Sequence, residues 1–342
     1  MENLPFIPVW FFHALAFQGE FLRKLIKQHP DSFLAASRCL YINLPRWQGQ
    51  LPYVEVSSQW IPKDVLLGMA DTIKMLVVHA PYIDGDKKKV KNSEFIDITT
   101  YSKTTVKRLQ EYINSLKILH PRSRLLIVMH PLPVEAVYGR KRLLKNIARV
   151  FNDLIPVLQE TNTLIGIENM PWFRKHHAKY TQMLGQPEFF EELFSMVDSR
   201  HIGMTFDFGH ANSVARYLYN NKQLSLQRLK EFYFQSEFFS RLGSKIYHIH
   251  FSFNPAHRPH SRPLVTWLPK FRNFDTHEPI DRFDTEEIEQ LKSVFSILWK
   301  SKPHVPGWTR TLTLELIPRS LNMIRAYEHN VNLLRDWFSV LQ

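Results

Sequence analysis

The sequence predicts an α/β protein that folds as one (β/α)8 barrel domain across residues 1–342. The first observation is a set of eight short apolar runs, rich in β-branched residues, which are typical of strands buried on both faces of a parallel sheet. The second is that longer stretches with the apolar spacing of helices separate these runs. Eight such units in one chain favour a closed barrel over an open doubly wound sheet.

The predicted strands are six to eight residues long, and the first lies close to the N-terminus. In chain order they cover residues 5–12, 53–58, 75–80, 125–130, 164–169, 202–208, 246–253 and 311–317. The first run follows Glu2 instead of a basic segment and contains Pro5 and Pro8, so we interpret it as a strand and not as a signal peptide. No apolar run approaches the ~18 residues of a membrane span, and we expect a cytoplasmic protein with no membrane partner.

Seven stretches between and after the strands have the apolar spacing of helices. They cover residues 61–74, 102–117, 141–159, 187–197, 223–242, 285–299 and 323–340. In the third stretch Leu143 and Ile147 lie on one face, and the fourth opens with Pro187 and Glu188, which favour a helix start. Residues 30–52 are irregular, so the first strand–helix unit is the least regular of the eight.

The composition is that of a globular protein with a large core, since 44% of the residues are hydrophobic and 22% are charged. These values exclude a disordered or fibrous chain. The single cysteine, Cys39, excludes a disulfide framework and a multi-thiolate metal site, and we expect it to be a small buried apolar residue. The net charge of +12 attracts polyanions, nucleic acid above all.

Side chains that can bind metal lie at the C-terminal ends of six of the predicted strands. They are His79, His130, Glu168, Asp207, His250 and Glu315, and His210 lies three residues after Asp207. The active site of a barrel forms at this end of the strands, from residues on several of them. Imidazole and carboxylate groups suit zinc and manganese. Without a metal, carboxylates and imidazoles that converge in this way would repel one another or have perturbed pKa values, so the pattern predicts a metal centre at the barrel mouth.

Two further candidate ligands lie in the segment NFDTHEPID after the seventh strand. Asp275 and His277 are two residues apart, so in an extended loop both side chains point to the same side. A turn built on Asp275 is the alternative interpretation of this segment.

Five motifs along the chain resemble those of the xylose isomerase-like TIM barrel superfamily. They are HAPY at 79–82, ENMP at 168–171, DFGHA at 207–211, HFSFN at 250–254 and D-x-H at 275–277. That superfamily includes endonuclease IV, which cleaves DNA at abasic sites, and many sugar isomerases and epimerases. The resemblance runs from about residue 53 to 317 and implies a metal-dependent enzyme with extended loops at the C-terminal face of its strands.

The resemblance implies a different set of metals for each branch of the superfamily. In the isomerase branch one metal would be held by Glu168, Asp207, His250 and Glu315. In the endonuclease IV branch three zinc ions are implied, the first held by His79, His130 and Glu168, the second by Glu168, Asp207, His250 and Glu315, and the third by His210, Asp275 and His277. All nine positions carry the residue type that this larger site needs. The predicted cofactor is therefore zinc, up to three ions, with manganese as an alternative.

The chain departs from the endonuclease IV pattern in features that concern the substrate. EPIDRFD follows D-x-H where that family usually has a glycine-rich stretch. Tyr82 resembles a residue that endonuclease IV inserts at the damaged nucleotide, and an aromatic packed on the barrel rim is the alternative. The basic insertion at about 251–274 carries Arg258 and Arg262 among aromatic residues, which suits an anionic or aromatic substrate.

His248 lies two residues before the candidate ligand His250 on the seventh predicted strand. We expect the side chain of His248 to point away from the barrel interior.

Three functions are consistent with the sequence. The first is a zinc-dependent phosphodiesterase of the endonuclease IV type acting on DNA, in which clustered metals polarise the phosphoryl group. The second is a metal-dependent isomerase or epimerase of a sugar or sugar phosphate, in which Glu168 and Glu315 form the acid–base pair around one metal. The third is a non-catalytic ligand-binding barrel, against which the complete ligand set argues. We expect the first, because the second leaves five ligand-type residues without a role. No obligate protein partner is inferred.

Overall fold

A computed structural model of the chain describes residues 7–11, 53–57, 75–80, 98–119, 122, 124–131, 139–171, 185–253, 280–314, 329–330, 332–334 and 336–337, the first two segments as backbone. Eight parallel strands in these residues pair in chain order, and the last pairs with the first to close a barrel. They are β1 (Ile7–Phe11), β2 (Tyr53–Ser57), β3 (Met75–His79), β4 (Arg124–Met129), β5 (Thr163–Glu168), β6 (Ile202–Asp207), β7 (Ile246–Phe251) and β8 (Thr311–Leu314). Each predicted run therefore contains a strand, and the α/β class is confirmed.

The α-helices with described bounds follow strands β3 to β7. They are α1 (Lys103–Leu119), α2 (Arg140–Thr161), α3 (Pro187–Met196), α4 (Phe208–Asn220), α5 (Leu226–Lys230), α6 (Tyr233–Leu242) and α7 (Thr285–Lys300). The helix predicted at 61–74 lies outside the described residues and that at 323–340 lies largely outside them, so the complete eightfold strand–helix repeat stays a prediction. Among the described helices, none is long and apolar enough to cross a membrane.

Two helical segments differ from the prediction. Helix α4 was not predicted, because the polar residues of 207–213 interrupt the apolar pattern on which the prediction relied. The stretch 223–242 was predicted as one helix but forms two. The break lies at Phe232, which has a left-handed backbone conformation with φ of 50°. In that conformation the Phe232 ring is buried against the ring of Phe208, at 5.4 Å between centroids.

The core has two parts because successive side chains on a strand point to opposite faces of the sheet. Residues such as Leu76 and Val78 pack outward against the helices. Residues such as Met75 and Val77 form a separate cluster, which fills the barrel interior together with Leu126, Val128, Leu164, Tyr247 and Trp308. The inward-facing row repeats every second residue, so on β3 it runs through Met75 and Val77 and ends at His79.

An irregularity in the pairing of β6 with β7 sets the register at the C-terminal ends of these strands. Met204 pairs with Ile246 but Thr205 pairs with His248, so Tyr247 is an extra residue in β7. The Tyr247 ring packs over Gly203, where a Cβ atom would overlap it. Its hydroxyl donates a hydrogen bond to the carbonyl oxygen of Arg200, and burial raises the pKa of this hydroxyl above its usual value. Beyond the irregularity, Asp207 pairs with His250.

Candidate metal centre

Five of the six predicted site residues that come together at the C-terminal end of the barrel have the spacing of metal ligands. They form two groups that share Glu168, and within each group one candidate ligand atom per residue lies within 4.8 Å of the others. The first group is His79, His130 and Glu168, and the second is Glu168, Asp207 and His250. The ligands come from five consecutive strands, since β3, β5, β6 and β7 each carry one of them and His130 directly follows β4.

The Glu168 carboxylate lies at the centre of the site and is 1% exposed. One oxygen, Oε2, lies 2.6 Å from Nε2 of His130, and the other, Oε1, lies 3.4 Å from Nδ1 of His250. Burial alone would raise the pKa of this carboxyl. The positive charge and hydrogen bonds of His130 and His250 outweigh burial and hold the pKa of Glu168 well below its usual value. The carboxylate is therefore ionised and able to bind a cation.

The Asp207 carboxylate uses its two oxygens differently. Oδ1 accepts a hydrogen bond from the backbone N–H of His210 at 2.6 Å and so caps the N-terminus of helix α4. Oδ2 is buried and accepts no hydrogen bond, and it lies 3.7 Å from Nδ1 of His250. A buried carboxylate oxygen without a hydrogen bond is destabilising, and a bound cation would compensate for it. This oxygen, together with imidazole nitrogens and a second carboxylate, fits zinc or manganese.

The imidazole rings of the site are packed against one another. The His79 ring stacks on that of His250 with a centroid distance of 5.2 Å, and it lies at the same distance from the ring of His130. His79 and His250 are buried, and His130 is partly exposed. Fully protonated rings at these distances would repel one another, whereas neutral rings can present nitrogen lone pairs to a cation.

His210 contacts both carboxylates but belongs to neither group. Its Nδ1 lies 3.2 Å from Oε1 of Glu168, and its Nε2 lies 3.8 Å from Oδ2 of Asp207. The resemblance assigns it to a third metal together with Asp275 and His277, which lie outside the described residues. Also outside them are the predicted site residues Tyr82, Arg258, Arg262 and Glu315 and most of the insertion at 251–274.

The expected orientation of His248 is wrong. Residues two apart on a strand lie on the same face, so His248 shares the face of His250. The two rings meet edge to face at 4.9 Å, and Nδ1 of His248 lies 2.6 Å from the Thr311 hydroxyl on β8. His248 therefore belongs to the polar interior of the barrel beneath the candidate ligands.

The prediction assigned no role to Asn169, which follows Glu168 and is fully buried. Its side-chain amide makes two hydrogen bonds with the backbone of Asp207, and its backbone carbonyl oxygen accepts one from the ring of His210. The sequence signal was the placement of Asn169 directly after a strand that ends in a candidate ligand. A related signal, Asp207 three residues before His210, is the spacing of a helix N-cap.

Residues 55–337 match the family model described as xylose isomerase-like TIM barrel, which is most of the chain. An uncharacterised protein of Methanocaldococcus jannaschii is 27% identical over 158 residues, which cover 44% of this chain and 48% of the relative. The alignment thus spans about half the length of that curated relative.

Several solved structures share the fold at low sequence identity. A D-tagatose 3-epimerase-like protein is 20% identical with a TM-score of 0.53, over 84% of this chain and 88% of that one. A xylose isomerase domain protein from Alicyclobacillus acidocaldarius is 13% identical with a TM-score of 0.53, over 89% and 94%. The IolI protein with a bound zinc atom is 14% identical with a TM-score of 0.51, over 84% and 88%.

Proposed function

Because the chain belongs to the xylose isomerase-like TIM barrel family, we propose that it is a metal-dependent isomerase or epimerase of a sugar or sugar derivative. The observation that carries this proposal is the buried group of Glu168, Asp207 and His250, whose ligand atoms lie within 4.8 Å of one another. The similar structures described as epimerase-like and as a xylose isomerase domain support the same chemistry. We prefer this function to the phosphodiesterase. The sequence had favoured the phosphodiesterase because an isomerase leaves five ligand-type residues without a role.

Glu168, Asp207 and His250 would hold a divalent cation, zinc or manganese, with Glu315 as the further ligand implied by the resemblance. Bound there, the cation would polarise a carbonyl or hydroxyl oxygen of the substrate. Glu168 and Glu315 are the proposed acid–base pair that moves a proton at the carbon next to the carbonyl. The lowered pKa of Glu168 keeps its carboxylate ionised for this role, and its burial limits the access of water.

Proton exchange at a sugar carbon tests the proposal directly. The metal-loaded protein is incubated in heavy water with a panel of ketoses, aldoses and their phosphates, and NMR follows deuterium incorporation and the formation of epimers. We expect exchange at one carbon next to the carbonyl, abolished by a chelator and in Glu168→Gln. The control Glu160→Gln makes the same chemical change on the exposed face of α2 and keeps the activity. Metal binding without exchange on any member of the panel would contradict the proposal.

The group of His79, His130 and Glu168 favours a second candidate function, hydrolysis of a phosphodiester in DNA. Glu168 belongs to both groups, which is the arrangement of a two-metal site, and such sites in nucleases and phosphatases hold ions about 3.5–4 Å apart. The net charge of +12 also favours a polyanion.

A metal count separates the two candidates. One ion per chain supports the isomerase, and two or three support the phosphodiesterase. An abasic-site duplex provides the activity assay, and cleavage that a chelator abolishes would establish the second candidate. Productive binding should then weaken steeply with salt, by about 0.9 in the log–log slope per neutralised phosphate. Absence of cleavage by the fully loaded protein would exclude this candidate.

A further inference from the structure

The ends of strands β5 and β6 are joined by a side chain instead of by backbone pairing. The last pair in the register of these strands is Glu168 with Thr205. Beyond it, Oδ1 of Asn169 accepts a hydrogen bond from the Asp207 N–H at 2.7 Å, and Nδ2 of Asn169 donates one to the Asp207 carbonyl at 2.9 Å. The side-chain amide of Asn169 thus takes the place of a backbone peptide group in the pairing of β5 with β6. It forms hydrogen bonds with both the N–H and the carbonyl group of Asp207.

The side chain of Asp207 is then fixed by its own helix. Its Oδ1 accepts the His210 N–H at 2.6 Å. With the backbone held by Asn169 and Oδ1 held by the N-terminus of α4, the position of Oδ2 is determined by two independent constraints. Oδ2 is the oxygen that faces His250 and accepts no hydrogen bond. Asp207 can therefore offer a cation one oxygen, in one place.

The backbone carbonyl of Asn169 and the Glu168 carboxylate together favour a hydrogen on one nitrogen of His210. Nδ1 of His210 lies 2.8 Å from the carbonyl oxygen of Asn169 and 3.2 Å from Oε1 of Glu168. A carbonyl oxygen and an ionised carboxylate can only accept, so Nδ1 carries a proton. In the neutral ring the lone pair is then on Nε2, the nitrogen that faces Oδ2 of Asp207.

We infer that Asn169 is a positioning residue of the metal centre, which places Oδ2 of Asp207 and orients His210 without touching the metal itself. The inference rests on the metal site of the proposed function. Groups that orient metal ligands typically contribute about tenfold to a hundredfold to metal affinity. Asn169 directly follows the proposed ligand Glu168. These two consecutive residues therefore supply one ligand and the group that positions Asp207, the ligand from β6.

The test compares metal affinity and fold stability in two variants. Asn169→Ala removes the amide, and Asn146→Ala removes a half-buried amide that donates to the Thr99 carbonyl on the outside of the barrel. Zinc affinity is measured by competition with a chromophoric chelator, and thermal unfolding is measured with the metal removed. We expect Asn169→Ala to lose at least about tenfold in zinc affinity while folded, and Asn146→Ala to keep the wild-type affinity. Equal zinc affinities in the two variants would overturn the inference.

A second measurement needs only the wild-type fold. In metal-free protein labelled with ¹⁵N-histidine, the His210 ring, assigned by its loss in His210→Gln, should show a proton on Nδ1. A neutral ring with its lone pair on Nδ1 would overturn the inference even if Asn169→Ala fails to fold. If the wild-type protein binds no metal, the proposed function fails, whereas a proton on Nδ1 of His210 is still the result expected from its contacts with Asn169 and Glu168.

Discussion

Among the residues of the site, Glu168 is the one whose replacement should be most damaging, because it belongs to both ligand groups. Glu168→Gln keeps the shape of the side chain but removes a buried negative charge that faces His130 and His250. We expect metal content, measured on the purified protein, to fall to near zero in Glu168→Gln and to stay at the wild-type value in the exposed control Glu160→Gln. His277→Ala should be less damaging, since His277 is implied only in a third site. Full metal content in Glu168→Gln would exclude both catalytic functions.

The lowered pKa of Glu168 also predicts a pH dependence of stability in the metal-free protein. A carboxyl whose pKa is lowered by folding stabilises the folded state above the pKa of the unfolded chain, about 4.3, and loses this contribution as the pH falls through the lower value of the folded state. The free energy of unfolding of the wild type, taken relative to Glu168→Gln, should therefore be larger at about pH 6 than at about pH 3.5. Urea unfolding at both pH values measures it, and a constant difference would show that the pKa is not lowered.

The sequence indicated the candidate ligands better than the residue that we propose positions them. His79 and Glu168 could be found because a barrel builds its site from residues at the ends of its strands, and strand ends are visible in the sequence. The role of Asn169 depends on which backbone groups of β6 face its amide, which only the register of β5 and β6 determines. The predicted orientation of His248 was wrong for another reason. Residues two apart on a strand point to the same face, whereas the prediction placed His248 and His250 on opposite faces.

At the scale of secondary-structure elements, the strands were predictable and several helices less so. Strands buried on both faces, such as 125–130, are continuous apolar runs that need no partner to be recognised. Helix α4 has Asp207 as its N-cap, and its first two turns are buried on every side, so the buried polar residues His210, Asn212 and Ser213 obscure the apolar spacing of Phe208, Ala211 and Val214. The break at Phe232 follows from the burial of its ring in tertiary contacts, which the local sequence does not reveal.

The register of β6 and β7 depends on a glycine, and this predicts the effect of one substitution. A Cβ at position 203 would overlap the Tyr247 ring and the carbonyl oxygen of Lys245, neither of which can move freely. We expect Gly203→Ala to lower the free energy of unfolding by about 1–3 kcal/mol, the usual range for overpacking. At Gly139, the N-cap of α2, a Cβ has no neighbour within 4 Å, so Gly139→Ser should not destabilise the protein. Equal urea midpoints for Gly203→Ala and wild type would contradict this account.

At the scale of the whole molecule, the net charge is +12, and part of the positive charge lies at the start of α2. Arg140, Lys141 and Arg142 form a basic run in the described residues, at the start of α2. Arg140 there forms an ion pair with Glu192 of α3 at 2.8 Å, so part of its charge is neutralised. A basic surface that binds DNA belongs to the phosphodiesterase proposal.

The distribution of the candidate ligands over the barrel predicts that metal stabilises the whole fold. The ligands come from β3, β5, β6 and β7 and from the residue after β4, so one or two ions would cross-link five adjacent strands of a closed barrel. A ligand that binds only the folded state stabilises it by about 2.7 kcal/mol at a hundredfold excess over its dissociation constant. The melting temperature of the wild type and of Glu160→Gln should therefore rise with zinc or manganese concentration and fall when a chelator is added.

Glu168→Gln is compared with the wild type in the same titration, because Glu168 belongs to both groups of candidate metal ligands. Its melting temperature should stay nearly constant across the metal range, whatever its value without metal. A rise equal to that of the wild type would place the bound ions elsewhere on the protein. Such a result would separate metal binding from these five strands, and the function of the barrel mouth would then have to be explained without a cation held by Glu168.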